Sequence, residues 1–353
     1  MFPSAADVID LSFRHVKAQL FQPWRFAQWA RLAFVGLLAG EMGSFNGCNF
    51  NVPLNHHPRG TQHLLNAPWP GFATAHPALL AGLVAAFLVF WLGFVLLFTY
   101  IASVMRFILF DSVVERECRI RRGWARRRHA GLRLFCWQIF FMLASLGVLL
   151  IVIGFPVAAA ALLGWFTPGR EHVLGLALGG VTLFLLLMVL LVVMGVVHVM
   201  TKDFVVPQMA LEDIGALEGW RRLWPHLAAQ AAGYAGYIGM KIVLAIGAAI
   251  VFGIISVIAF LVLLIPIGGV AALAVLGGKA PGWEWNVYTI TIAVVFGCVA
   301  LVILIFAMAL ISVPVVVFFP AYAIYFFAPR YPALAALLWP PPTTSETPPA
   351  APA

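Results

Sequence analysis

Charge is scarce in this sequence, and acidic charge is scarcest. Of 353 residues, 13 are Asp or Glu and 21 are Lys or Arg, so 10% are charged, against about 25% in an ordinary soluble domain. That shortage excludes a solvated globular surface. The four cysteines, Cys48, Cys118, Cys136 and Cys298, show no CxxC or paired spacing, which argues against a disulfide framework or a thiolate metal site and leaves unpaired core or interface thiols. The N-terminus, MFPSAADVIDLSFRHVKAQL, lacks the short apolar core and small-residue cleavage site of a signal peptide. No GxSxG, HExxH, Walker A or GxGxxG stands in a usable setting, and Glu171 and Glu284 are isolated. No catalytic residue, metal site or cofactor is therefore expected, and the protein reads as a non-enzyme.

What is present is apolar surface: 63% hydrophobic residues and a mean hydropathy of +1.01. Uninterrupted apolar runs longer than the ~18 residues of a membrane-crossing helix recur along the chain. They do not alternate, which excludes a transmembrane barrel. The expected fold is an all-α integral membrane protein with about six spans, near 27–43, 78–108, 133–163, 173–200, 229–265 and 287–327. An amphipathic N-terminal segment, 1–26, precedes them. The C-terminal tail, 328–353, follows and is expected to be disordered after 339, where it turns Pro-, Thr- and Ala-rich. Block 78–108 exceeds one crossing and must tilt, kink or project. Pro314 and Pro320 place a kink in the last block.

Basic residues fall on one side of these blocks. Sorting the connections by parity puts 18 of the 21 Lys and Arg together, leaving Arg59, Arg170 and Lys279 opposite. Because positive residues stay cytoplasmic, the expected location is a bacterial inner membrane with both termini inside. The densest stretch, RECRIRRGWARRRHAGLR at 116–133, holds eight arginines and one acid, Glu117. Tethered between two spans, it faces the leaflet before any other polyanion. No recognition fold accompanies the charge, so nucleic acid is not an expected partner. Anionic headgroups are, contacted by Arg119, Arg121, Arg122, Trp124, Arg126, Arg127 and Arg128, and by Trp220, Arg221 and Arg222 of a second loop, with Trp224 beside them. An acidic membrane or cytoplasmic protein is the other candidate partner.

That second loop echoes the first at an offset of 96. Gly123 falls on Gly219, Trp124 on Trp220, Arg126 on Arg222, Arg106 on Lys202 and Glu117 on Asp213. A parallel repeat of helix, interfacial loop and helix would produce this, as would convergence on an interfacial Trp/Arg theme.

Within the fifth block, Gln230, Tyr234, Tyr237 and Lys241 are spaced four, three and four apart and share a helix face. An ionisable group in a span is a functional candidate by default. Here it reads either as a lysine snorkelling to headgroup depth or as the lining of a cavity. Gly233, Gly236 and Gly239 nearby would let a helix approach. Two opposite-charge neighbours stand near the cytoplasmic ends, Arg106 with Asp111 and Lys241 with Asp203, and read either as ion pairs or as a solvated rim. The long first outside loop gathers His56, His57, His63 and His76 with Asn51 and Asn55, but no carboxylate, and reads as surface. Segment 264–281, LIPIGGVAALAVLGGKAP, is Gly-rich enough for a turn or re-entrant piece.

Three motifs carry a resemblance. FQPWRFAQWARLAFVGLLAG at 21–40, DFVVPQMALEDIGALEGWRRLW at 203–224 and VPVVVFFPAYAIYFF at 313–327 resemble an uncharacterised family of bacterial multi-pass membrane proteins. They are similar to the membrane domain that accompanies some glycerophosphodiester phosphodiesterases. The resemblance implies an interfacial helix leading into a first span. In the last motif a polar residue is expected near position 320, where Pro320 stands. Nothing resembles the phosphodiesterase catalytic domain, so that activity does not carry over. Three functions stay open: a lipid- or partner-organising membrane protein, a permease or lipid translocator, and a membrane-embedded headgroup enzyme.

Overall fold

The computed structural model describes residues 4–41, 77–162, 164, 173–277 and 287–339. It is an all-α membrane protein with no β-strand among these residues. In chain order the helices are α1 (Asp7–Leu20), α2 (Phe26–Leu38), α3 (Pro77–Val114), α4 (Ile120–Leu162), α5 (Val173–Met200), α6 (Val206–Glu212), α7 (Ala216–Ala229), α8 (Ala231–Gly277), α9 (Val287–Phe327) and α10 (Pro332–Leu338). A π-helical turn, Thr201–Val205, joins α5 to α6.

Among the described residues, five helical stretches are long and apolar enough to cross a membrane. The block expected at 27–43 is α2, whose 13 residues rise about 20 Å, short of the ~30 Å hydrocarbon core. Its end is encoded locally. Gly40 takes φ +76°, Gly40 N–H donates to Leu37 O (3.2 Å) and Glu41 N–H to Gly36 O (3.1 Å), which is a Schellman cap closing the helix on glycine. The Gly-rich segment 264–281 is helical as far as Gly277, where α8 ends, and 278–281 lie outside the described residues. Helix α9 runs through both prolines. The histidine loop with Asn51 and Asn55, Cys48, Arg59, Arg170, Glu171, Lys279, Glu284 and the tail after 339 lie outside the described residues.

Burial is confined to one end. The most apolar 18-residue stretches of α3, α4, α5 and α8 are 0% buried, and that of α9 is 11% buried. Such surface is stable only in lipid, where apolar tails take the place of protein contacts. At the other end the helix ends close into a packed head. Its core holds Leu32 and Val35 of α2, Phe107 and Ile108 of α3, Leu134 of α4, Phe204 of the π turn, Tyr234 and Tyr237 of α8, and Tyr322 and Phe326 of α9. Every buried polar or charged side chain among the described residues lies in this head, and so do the Arg-rich segments. Gly131 makes the α3–α4 crossing possible, because a Cβ there would stand 3.0 Å from the Val104 backbone. At Gly36, a Cβ would meet Val316 of α9 at 2.7 Å.

Helix α1 docks its inner stripe, Val8, Ser12, His15, Val16 and Leu20, against α9. Gln19 Nε2–H donates to Ser112 O (2.8 Å), which makes its Oε1 the acceptor for His15 Nε2–H (3.2 Å) and leaves His15 Nδ1 to accept from Tyr325 Oη–H (3.1 Å). A neutral imidazole satisfies this network. Burial, and secondarily the positive Arg116, hold His15 below the usual histidine range. The unfolded chain takes up its proton near pH ~6.5 while the folded chain resists. The contribution is therefore intact above that pH and is lost as pH falls through the lower folded value. We expect wild type in detergent to lose more thermal stability than His15→Gln between pH 7.5 and 5. Equal losses would contradict the network's role.

Candidate functional site

The arginine segment read as a loop is mostly the start of α4, since arginine favours helix and Ile120, Gly123, Trp124, Arg127, Ala130, Gly131 and Leu134 recur at helical spacing. This phase sorts the arginines. Arg127 falls on the inner face, where its Nε and Nη2 each donate to an Asp111 carboxylate oxygen at 2.7 Å and Nη1 donates to Ala210 O at 2.5 Å. It ties α4 to α3 and α6 and is unavailable to a headgroup, a departure from the sequence expectation. Because Asp111 is so engaged, it is not the partner of Arg106. Arg119 pairs with Glu117 (2.7 Å), Arg126 with Glu115 (3.4 Å) and Arg133 with Asp213 (3.0 Å). Arg121, Arg122 and Arg128 are exposed on the outward face and make no ion pair among the described residues. Trp124 is half-buried, edge-on to Tyr100 at 6.1 Å.

The second loop repeats this geometry. A Cβ on Gly123 would meet Ile108 at 3.0 Å, and one on Gly219 would meet Val205 at 2.8 Å. Each hairpin turns through a non-glycine residue with positive φ, Arg116 (57°) and Asp213 (52°). Arg126 pairs with Glu115, and Arg222 with Glu212. Offsets are 96 at Arg106/Lys202 and Gly123/Gly219, but 97 at Ile108/Val205 and Arg116/Asp213. The π turn at 201–205 accounts for the extra residue, and the shorter second connection restores the register. Arg222 is held by Glu212 and Glu218, while Arg221 lies 4.0 Å from Glu218 and is exposed. Trp220 Nε1–H donates to Thr201 Oγ1 (3.1 Å) and is half-buried, whereas Trp224 is exposed.

Between the hairpins lies an ionic cluster. Glu41, delivered by the cap of α2, receives Lys202 Nζ as a close ion pair and has Arg106 Nε at 4.0 Å. The echoed pair Arg106/Lys202 thus converges on one carboxylate. Asp203, on the π turn, receives Lys241 Nζ as a close ion pair and Tyr237 Oη–H at 2.9 Å. The side chains of Glu41 and Asp203 are 4% and 3% exposed, and those of Arg106, Lys202 and Lys241 are 13–15% exposed. Lys241 therefore does not snorkel to the surface; its expected partner Asp203 holds it inside. A small cavity of about 30 Å³ opens beside Glu41, Arg106, Lys202 and Asp203, with Pro207 and Pro320 in its wall.

The predicted face holds for Tyr234, Tyr237 and Lys241 of α8, whereas Gln230 is the non-helical C-cap of α7. Tyr237 and Lys241 meet Asp203, while Gln230 Oε1 accepts from Arg330 Nε at 3.0 Å. Tyr234 is buried against Phe204 and Phe326, its hydroxyl without a hydrogen bond. Gly236 and Gly239 face open space and bring no helix close. Only Tyr237 and Lys241 of the four reach the cluster, and none lines the cavity. Sequence reasoning missed Glu41, although a lone carboxylate closing an apolar run after Ala39-Gly40 is a signal of its own.

A family model described as a family of unknown function, DUF7544, matches residues 3–337. The chain belongs to that family. The match spans both Trp/Arg hairpins, the α2 cap and the ionic cluster. No curated protein and no solved structure matches the chain.

Proposed function

We propose that this DUF7544 member is a non-enzymatic protein of the bacterial inner membrane, with both termini cytoplasmic, that engages anionic lipid headgroups at the leaflet its basic end meets. One observation carries the reading. Arg121, Arg122 and Arg128 are exposed cations without ion pairs among the described residues, on one face of α4, while the other arginines of that helix are committed to carboxylates. Each cation near an anionic surface contributes about 1 kcal/mol. Exposed Trp224 and half-buried Trp124 supply rings suited to headgroup depth. The likeness to membrane domains that accompany glycerophosphodiester phosphodiesterases fits a protein occupied with headgroups, and no hydrolytic chemistry is taken from it.

The test is native mass spectrometry of protein released from nanodiscs of mixed phosphatidylglycerol and phosphatidylcholine. Wild type should retain phosphatidylglycerol preferentially. The triple variant Arg121→Gln, Arg122→Gln, Arg128→Gln should lose roughly a hundredfold of that preference, about 3 kcal/mol, while staying folded. An unselective wild type, or a triple variant that keeps the preference, would contradict the reading.

A permease reading has one observation in its favour: α2 ends inside the head at an ionic cluster, as broken helices do at transport sites. It is the weaker reading, because no buried polar group among the described residues continues a path along the outer halves of the long helices.

A further inference from the structure

The ionic cluster does not balance. Among the described residues, three cations, Arg106, Lys202 and Lys241, face two carboxylates, Glu41 and Asp203. The lysines pair with the carboxylates one to one, which leaves Arg106 as the odd cation. Its Nη2 reaches Ala39 O at a long 3.5 Å, its Nε is 4.0 Å from Glu41 Oε1, and both Arg106 Nε and Glu41 Oε1 are buried without a hydrogen-bond partner among the described residues. The carbonyl end of α2 offsets part of the excess charge, but a guanidinium is a planar five-donor fork whose natural complement is an oxyanion. Uncompensated charge in a low-dielectric interior is costly, and this one sits on a cavity.

We propose that the cavity between Glu41, Arg106, Lys202 and Asp203 is a phosphate-type oxyanion site. Arg106 supplies the unspent charge and donors. Lys202, the equivalent residue of the second hairpin, flanks it. Glu41 Oε1 accepts from a protonated or hydroxyl-bearing atom of the same ligand. The space, about 30 Å³, admits one or two water-sized groups. The anionic oxygens therefore enter while the remainder of an ester stays in the mouth. The same chemistry is offered by free inorganic phosphate and by the phosphate of a lipid headgroup. The site stands apart from the surface arginines, and in the lipid case it deepens the headgroup reading by giving it a buried subsite.

The experiment measures thermal unfolding of full-length protein in phosphatidylcholine nanodiscs, with and without inorganic phosphate, and in nanodiscs containing phosphatidylglycerol. The variants are Arg106→Gln, Lys202→Gln and the surface triple variant. Stabilisation by inorganic phosphate alone supports the site with a soluble ligand. Stabilisation only by phosphatidylglycerol, kept in the triple variant, supports it with a headgroup. In either case Arg106→Gln should weaken the ligand's apparent affinity at least about tenfold. Without ligand it should unfold no earlier than wild type, because its loss balances the cluster, whereas Lys202→Gln should unfold earlier. No stabilisation by either anion, or an Arg106→Gln variant as destabilised without ligand as Lys202→Gln, overturns the proposal. Failure of the surface triple variant alone bears on the headgroup reading and leaves this site standing.

Discussion

Asp203→Ala is expected to destabilise the protein by about 3–5 kcal/mol, measured by reversible unfolding in mixed micelles. Asp203 is the carboxylate that Lys241 pairs with among the described residues, both are largely buried, and Tyr237 Oη–H ends on the same carboxylate. Removing one partner of a buried pair leaves the other charge without compensation, which costs far more than the pair is worth. The control follows from the same argument. Asp203→Ala combined with Lys241→Met removes both charges and should recover most of the loss, the remainder being the orphaned Tyr237 hydroxyl, about 1 kcal/mol. If the double variant is no better than the single, Lys241 is not the reason Asp203 matters.

Arg127→Ala should be comparably severe, again about 3–5 kcal/mol, while its neighbour Arg128→Ala should fall within ~0.5 kcal/mol of wild type. The two residues share a type and adjoin in sequence, so only the helical phase of α4 separates them. Arg127 is inside, bidentate on Asp111 and bonded to Ala210 O; its loss leaves a half-buried carboxylate and a buried carbonyl. Arg128 is exposed and has no ion pair among the described residues. Unfolding measured on both variants side by side checks the claim, and similar values for the two would refute the inward placement of Arg127. On the proposed lipid role, lipid retention should show the reverse order: Arg128→Ala should lose part of the selectivity, and Arg127→Ala none beyond its effect on folding.

Much of this architecture is legible in the residues, for reasons that also mark where legibility stops. Blocks 173–200 and 287–327 coincide with α5 and α9, because continuous apolarity has one stable answer in a membrane. Hydropathy fails where a helix leaves the bilayer. Helix α4 starts 13 residues before its apolar block, since an arginine-rich amphipathic turn looks hydrophilic although its small and apolar residues keep helical spacing. Glu41 illustrates the opposite failure. Apolarity carries the first block to residue 43, but Gly40 ends α2 and makes Glu41 the buried ligand of a lysine from a helix 161 positions away. The Lys241–Asp203 pair was readable because both sit at the same ends of adjacent blocks. Proximity in sequence suggests Asp111 for Arg106, whereas the partner of Asp111 is Arg127 of the neighbouring helix α4.

The lipid reading depends on which leaflet the basic end meets. The direct measurement is labelling of an Arg128→Cys variant, in a background with the four native cysteines replaced, by a membrane-impermeant maleimide applied to intact spheroplasts. The account predicts no labelling until the membrane is permeabilised, which puts α4's exposed arginines in the cytoplasm. Labelling of intact spheroplasts would place the basic end outside and contradict it.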